Sequence, residues 1–147
     1  MSVTLVNSPS AVDWQYLAGL FVRAPLGSRD GAALEEAFRN SQVCCFAYSE
    51  SKLIGAGRAL TDKVHWTVIF DLVVEPEYQG QGYGKTIIQD LTLRAGARNV
   101  MLQSVPGREA FYLGLGFKSM TTALAKYCQS TADGEFTSVT DMVFCDA

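Results

Sequence analysis

Between Asp71 and Lys85 the chain reads Asp-Leu-Val-Val-Glu-Pro-Glu-Tyr-Gln-Gly-Gln-Gly-Tyr-Gly-Lys, an apolar run followed by three alternate glycines, Gly80, Gly82 and Gly84, that open onto a helical pattern. Alternate glycines between a strand and a helix have the geometry of a phosphate cradle. Without Cβ atoms the backbone can come close to an anion, and the unpaired amides of the helix's first turn point at it with the favourable dipole sign. A diphosphate is the natural guest.

The spacing discriminates among phosphate loops. A dinucleotide fingerprint needs G-x-G-x-x-G, whereas this chain has G-x-G-x-G, preceded by Glu75 to Gln79. Gly84-Lys85-Thr86 has the ending of a G-x-x-x-x-G-K-[ST] loop, but the required first glycine falls on Gln79. Both readings are set aside.

Periodicity around the loop predicts alternating strands and helices. Val3 to Val6 reads as a short strand. Ser10 to Asp13 supplies a capping start, and Trp14, Leu17, Leu20 and Phe21 recur on one helical face until Pro25 and Gly27 end it. A second helix follows Asp30, with Leu34 and Phe38 at i and i+4, and ends near Asn40. Extended runs at 42–49, 52–61 and 64–74, joined by Glu50-Ser51 and Asp62-Lys63, read as antiparallel hairpins. A helix over 83–95 carries Ile87, Ile88, Leu91 and Ala95. The strand Val100-Met101-Leu102 and a small helix around 108–115 follow, and strands near 117–127 and 138–145 close the chain. A strand-helix-strand unit among antiparallel hairpins makes an α+β fold, a mixed, mostly antiparallel sheet with flanking helices.

With 147 residues, 48% of them hydrophobic, the chain can build one core, so a single domain over 1–147 is expected. Its formal charge of −3 and scattered basic residues argue against a nucleic-acid surface. No run approaches the ~18 apolar residues of a membrane span, and the N-terminus has no secretory pattern. Cys44, Cys45, Cys128 and Cys145 form no C-x-x-C pair and His65 is the one histidine, so no metal site is expected. Cys44 and Cys45 sit in the apolar run Val43 to Ala47, where thiols behave as small hydrophobes, which points to a reducing cytoplasm.

Gln79-Gly80-Gln81-Gly82-Tyr83-Gly84 resembles the Q/R-x-x-G-x-G/A signature of the GCN5-related N-acetyltransferase (GNAT) family. Val74-Glu75-Pro76 resembles that family's strand ending, and Tyr112-Leu113-Gly114-Leu115-Gly116-Phe117 its Y-x-x-x-G-F. The three occur in the family's order over about residues 68–118. Where many members carry an Asn before the tyrosine, this chain reads Ser104-Val105-Pro106-Gly107-Arg108-Glu109.

The resemblance implies acetyl-CoA as co-substrate, without a metal. It implies that the backbone of Leu72, Val73 and Val74 binds the pantetheine arm as an added strand would, and that Gln79, Gly80, Gln81, Gly82, Tyr83, Gly84 and Lys85 hold the diphosphate. An amine attacking a thioester needs an N–H donor for the oxyanion, a proton acceptor and a proton donor. A backbone N–H near Val73 or Val74 is the oxyanion candidate, and Tyr112 is the implied general acid for the departing thiolate. The base candidates are Asp71 and Glu75, the carboxylates nearest the presumed reaction point, which could take the proton directly or through water, merely attract an ammonium substrate, or be solvated surface residues. Along this strand Trp66, Val68, Phe70, Leu72 and Val74 share one parity, and His65, Thr67, Ile69, Asp71, Val73 and Glu75 the other. The more polar set is expected to face the acceptor cleft or solvent, and a bulge would shift one carboxylate off that face. His65 is expected at the rim. Lys85, Arg94, Arg98 and Lys118 could meet an adenosine 3'-phosphate, although exposed helix charges are usually just solvated.

The expected activity is transfer of acetyl from acetyl-CoA to a primary amine by direct attack in a ternary complex. A small acceptor (arylalkylamine, polyamine or amino sugar) is favoured over a protein lysine or N-terminus. A non-catalytic coenzyme A-binding module and a misread nucleotide-binding protein are the alternatives. A homodimer is expected from the base rate of soluble oligomers and the family resemblance.

Overall fold

A computed structural model of the chain describes residues 2–126. They fall into a first compact unit that runs to Gln103 and a second that begins at Ser104.

The first unit is a five-stranded sheet in the order β1 (Val3–Val6), β2 (Val43–Ser49), β3 (Lys52–Thr61), β4 (Trp66–Val74) and β5 (Asn99–Leu102). The first four strands are antiparallel neighbours, and β5 joins β4 in parallel. This matches the mixed, mostly antiparallel expectation. β4 begins at Trp66, two residues after the expected 64, because one Asp62 carboxylate oxygen accepts from the amides of Val64, His65 and Trp66 and extends the turn.

Two helices precede β2. In α1 (Trp14–Arg23) the Asp13 side chain accepts from the Tyr16 amide, and in α2 (Gly31–Arg39) Asp30 accepts from Ala33, so each helix starts on an acidic N-cap. Their apolar stripes bury Leu17, Leu20, Phe21, Leu34 and Phe38 in one cluster with Phe46, Ala56 and Val73 of the sheet. Trp14, Phe38 and Phe46 form an aromatic triangle with ring centroids 5.3–6.0 Å apart, tilted or edge-on, where each pair adds roughly 0.5–1.5 kcal/mol beyond burial.

The opposite face carries α3 (Tyr83–Ala95), which buries Ile87, Ile88, Leu91 and Ala95. Two glycines of β3 let it sit close. A Cβ on Gly55 would lie 2.9 Å from Ile87, and one on Gly57 would lie 3.0 Å from Leu91. The helix ends on Gly96, whose φ of 71° is a left-handed cap.

Of the second unit, 104–126 are described. They hold α4 (Glu109–Leu113), inside the expected 108–115. The strand expected near 117–127 does not form over 117–126, and the one at 138–145 lies outside the described residues, as do Cys128 and Cys145. The turn closed by Gly116 and Phe117 amides bonding back to Leu113 and Tyr112 carbonyls takes those residues out of an extended conformation.

Candidate functional site

The site begins with a fault in the β3–β4 ladder. Ala56 pairs with Val73 and Arg58 with Phe70, so Asp71 and Leu72 together oppose the single residue Gly57. Asp71 takes φ 54°, the left-handed region that aspartate tolerates better than most residues. This bulge inverts the side-chain alternation. Before it, Thr67 bonds through Thr61 to the last carbonyl of α3. After it, Leu72 and Val74 approach the two β3 glycines under α3, and Val73 turns to the α1–α2 core.

The expectation that the more polar parity faces a cleft or solvent is therefore corrected. Thr67, Ile69, Val73 and Glu75 are buried, and the large exposed residues of the strand are Trp66 and Phe70. The bulge does occur, and it sets Asp71 and Glu75 apart from Thr67 while keeping the two carboxylates on the face of α1 and α2.

The second element is a strand edge that no strand pairs with among the described residues. β5 pairs with β4 only from Trp66↔Asn99 to Ile69↔Leu102, while β4 continues to Val74. The backbone from Phe70 to Val74 thus has β3 on one side and no β5 residue on the other, the arrangement needed to accept an extended chain as a further strand. Leu72, Val73 and Val74 all lie on this stretch. The Val74 carbonyl already accepts from the Gln79 side chain, which ties the strand end to the following loop.

The loop holds its shape through its own bonds. A single 3-10 turn spans Pro76–Tyr78, the Gln79 amide bonds the Pro76 carbonyl, and Gln81 donates back to Glu77. Gly80 and Gly82 have φ of 75° and 90°, and a Cβ at either would meet nothing within 4 Å, so conformation rather than crowding calls for glycine there. Gly82 is the N-cap of α3 without a side-chain cap, and the first helical bond runs from Thr86 to Gly82. The amides of Tyr83, Gly84 and Lys85 precede that bond and are the donors a helix start offers to an anion. Gly80, Gln81, Gly82 and Lys85 are exposed, and Tyr78 and Tyr83 flank the loop with centroids 6.1 Å apart. The residues present fit a diphosphate-bearing co-substrate.

Both candidate carboxylates are engaged by arginines. Asp71 accepts from Arg58 Nε at 2.7 Å and lies 3.5 Å from Arg29 Nε, with all three side chains largely buried. Arg29 stacks on Phe21 and Arg58 on Phe70. Glu75 is bound by both prongs of Arg23, at 2.7 and 2.9 Å, and accepts from the Tyr16 hydroxyl at 3.5 Å. The Arg23 hydrogen bonds hold the Glu75 carboxyl below its ordinary range, against the opposing effect of burial.

Tyr112 lies in the second unit, on α4, half-buried edge-on between Phe111 and Phe117. Burial pushes its phenol above the ordinary value, and Arg108 acts weakly the other way. His65 is exposed, with Nδ1 3.8 Å from Asp62. Arg94 pairs with Asp90 and the Cys44 carbonyl, which commits it within the first unit; Lys85 and Lys118 are exposed.

Sequence reasoning missed the arginines. Tyr16 and Arg23 are seven apart, two turns on one face of α1, and Gly19 lies between them. That polar stripe beside the Leu17–Leu20–Phe21 face was the available signal.

A mixed sheet with this open edge beside a glycine cradle is the acyl-CoA N-acyltransferase class of fold. Residues 40–119 match the acetyltransferase (GNAT) domain family. A histone acetyltransferase of Glycine max, TAP1, is 30% identical over 129 residues, covering 78% of this chain and 56% of that protein. Serotonin N-acetyltransferase 2, chloroplastic, of Oryza sativa subsp. japonica is 33% identical over 118 residues, covering 76% and 59%. A probable acetyltransferase of unknown function from meticillin-resistant Staphylococcus aureus, SA2161, has the same fold with a TM-score of 0.75 at 22% identity, over 87% of this chain and 99% of that one. The chain belongs to the GNAT acetyltransferase family. It spans less than two thirds of the length of these two curated relatives, 56% and 59%.

Proposed function

We propose that this chain transfers the acetyl group of acetyl-CoA to a primary amine of a small molecule. The observation that carries the reading is the β4 edge left unpaired beyond Ile69 among the described residues, leading into an uncapped helix start behind Gly80 and Gly82. Leu72, Val73 and Val74 would hold the pantetheine arm, and Gln79 to Lys85 the diphosphate. The co-substrate supplies a thioester whose carbonyl carbon accepts the amine and whose thiolate leaves.

Transfer forms one N–C bond, breaks one C–S bond and moves one proton from the amine to the thiolate sulfur, directly or through solvent. The backbone N–H near Val73 or Val74 is the donor assigned to the developing oxyanion. Tyr112 is assigned the proton for sulfur, supported by a phenol that burial keeps protonated. Asp71 is assigned the amine proton, through water, because it lies at the bulge where the open edge begins. Glu75 is taken up by both prongs of Arg23, which hold its carboxyl below the ordinary range.

The acceptor class is an arylalkylamine, polyamine or amino sugar, supported for the first by a relative named for serotonin. Another relative is named for histones, so a protein lysine is the acceptor to test against it. A homodimer is part of the same reading, supported by Leu60, Trp66 and Phe70, which are each more than a third exposed on one sheet face. Sedimentation checks it, and a monomer at working concentration refutes it. A reducing cytoplasm is supported by the buried free thiols Cys44 and Cys45.

The deciding experiment is calorimetric titration with acetyl-CoA, followed by serotonin, spermidine, glucosamine and a histone-tail peptide with thiol release monitored. Binding plus release establishes the reaction and names the acceptor class. Binding without release favours a non-catalytic module, and absence of binding overturns the cradle.

A further inference from the structure

Glu75 is the one charged residue among the described residues that is buried, at 6% exposure, and it sits where β4 ends and the turn toward the glycine loop begins. A buried carboxylate needs compensation, and α1 provides it from three positions on one face. Tyr16 contributes its hydroxyl and the ring under the Arg23 guanidinium, 4.9 Å from its centroid. Arg23 contributes both prongs of a planar fork, which fixes direction as well as charge. Gly19, in mid-helix where glycine weakens a helix, leaves room for that fork, since a Cβ there would lie 3.0 Å from an Arg23 nitrogen.

The held carboxylate belongs to the residue whose backbone aims the loop. The Glu75 amide donates to Ile54 on β3, and its carbonyl accepts from Tyr78. From there the Pro76–Tyr78 turn and Gln79 lead directly to Gly80 and Gly82. Rotation at Glu75 would swing the helix-start amides off their target, and displacements of about 1 Å are enough to cost large factors in such sites.

We propose that Arg23 is a positioning residue for the coenzyme A diphosphate: by clamping Glu75 it locks the turn that aims the glycine loop, making α1 part of the co-substrate site. This rests on the acetyl-CoA reading above, and it places Glu75 outside the proton-transfer chemistry.

The test measures the Kd of the full chain for coenzyme A and for acetyl-CoA, with amide exchange followed in parallel. Arg23→Gln is expected to raise both Kd values about tenfold and by the same factor, because the loop meets the diphosphate and not the acetyl group. Exchange should accelerate by a larger factor at residues 77–82 than at Leu17 to Phe21. If Arg23→Gln does not fold, Gly19→Ala carries the test. It keeps both charges, favours the helix and crowds the fork, so a Kd raised about threefold with no fall in Tm supports the clamp. Kd values within about twofold of the wild type in the folded variant overturn it. A wild-type chain that binds neither ligand overturns the acetyl-CoA reading itself, a different result from a wild type that binds and a variant that binds equally well.

Discussion

Burial disfavours the Tyr112 phenolate, as the proposed proton donor requires. Tyr112→Phe is expected to lower kcat roughly 100-fold while the acetyl-CoA Kd stays within about twofold, which single-turnover kinetics and calorimetry separate. An unchanged rate across pH would remove Tyr112 from the mechanism. At Gly82, with φ of 90°, Gly82→Glu combines an unfavourable backbone with a negative charge at the helix start, and acetyl-CoA binding should fall below detection by calorimetry. The glycine loop ahead of a helix and the short helix that carries Tyr112 were legible in the sequence because their patterns are local. The environments of Asp71 and Glu75 were not. Counting parity along β4 assumes an uninterrupted pleat, and the extra residue at Asp71 inverts the count for everything after it. Their arginine partners Arg58, Arg29 and Arg23 are distant in sequence, on segments whose approach no local pattern records.

At the scale of elements, the β3 glycines define how close α3 can come. Gly57 sits under Leu91 and Ile87, with prospective Cβ contacts of 3.0 and 3.1 Å, and Leu72 lies beside it. Gly57→Val would push the helix off the sheet at a cost of about 1–3 kcal/mol, read as a lower urea midpoint with an unchanged slope. Because the same helix presents the amides of Tyr83, Gly84 and Lys85, acetyl-CoA affinity should fall with it. Several element boundaries were legible from caps and periodicity, although the Asp62 turn ran two residues further than its sequence announced. Asp13 and Asp30 start their helices, Gly96 ends α3, and the 52–61 strand and 83–95 helix fall where periodicity put them. What the sequence hid was the role of Gly55 and Gly57, which read as part of an apolar strand and reveal themselves only against α3. It also misled over 117–126, where an apolar-looking stretch forms no strand.

For the molecule as a whole, the Arg23–Glu75 pair joins the α1 layer to the sheet, and that connection is pH-sensitive. Glu75 titrates lower in the folded chain than in the unfolded one, chiefly through its Arg23 hydrogen bonds, and Arg23 is shifted up by the same partner, so the two shifts agree in sign. A carboxylate with a depressed folded value releases its proton more readily when folded, so the unfolded chain binds more protons as pH falls. Its contribution to stability is complete above the ordinary carboxylate range and disappears as pH drops through the depressed folded value. Thermal melts of the wild type and of Arg23→Gln should therefore differ by a constant amount from about pH 7 down to about pH 5, and the two curves should converge below that, as Glu75 takes up its proton in both. A gap that widens on acidification would mean that Glu75 is not held as an anion by Arg23, and would detach α1 from the loop it is argued to aim.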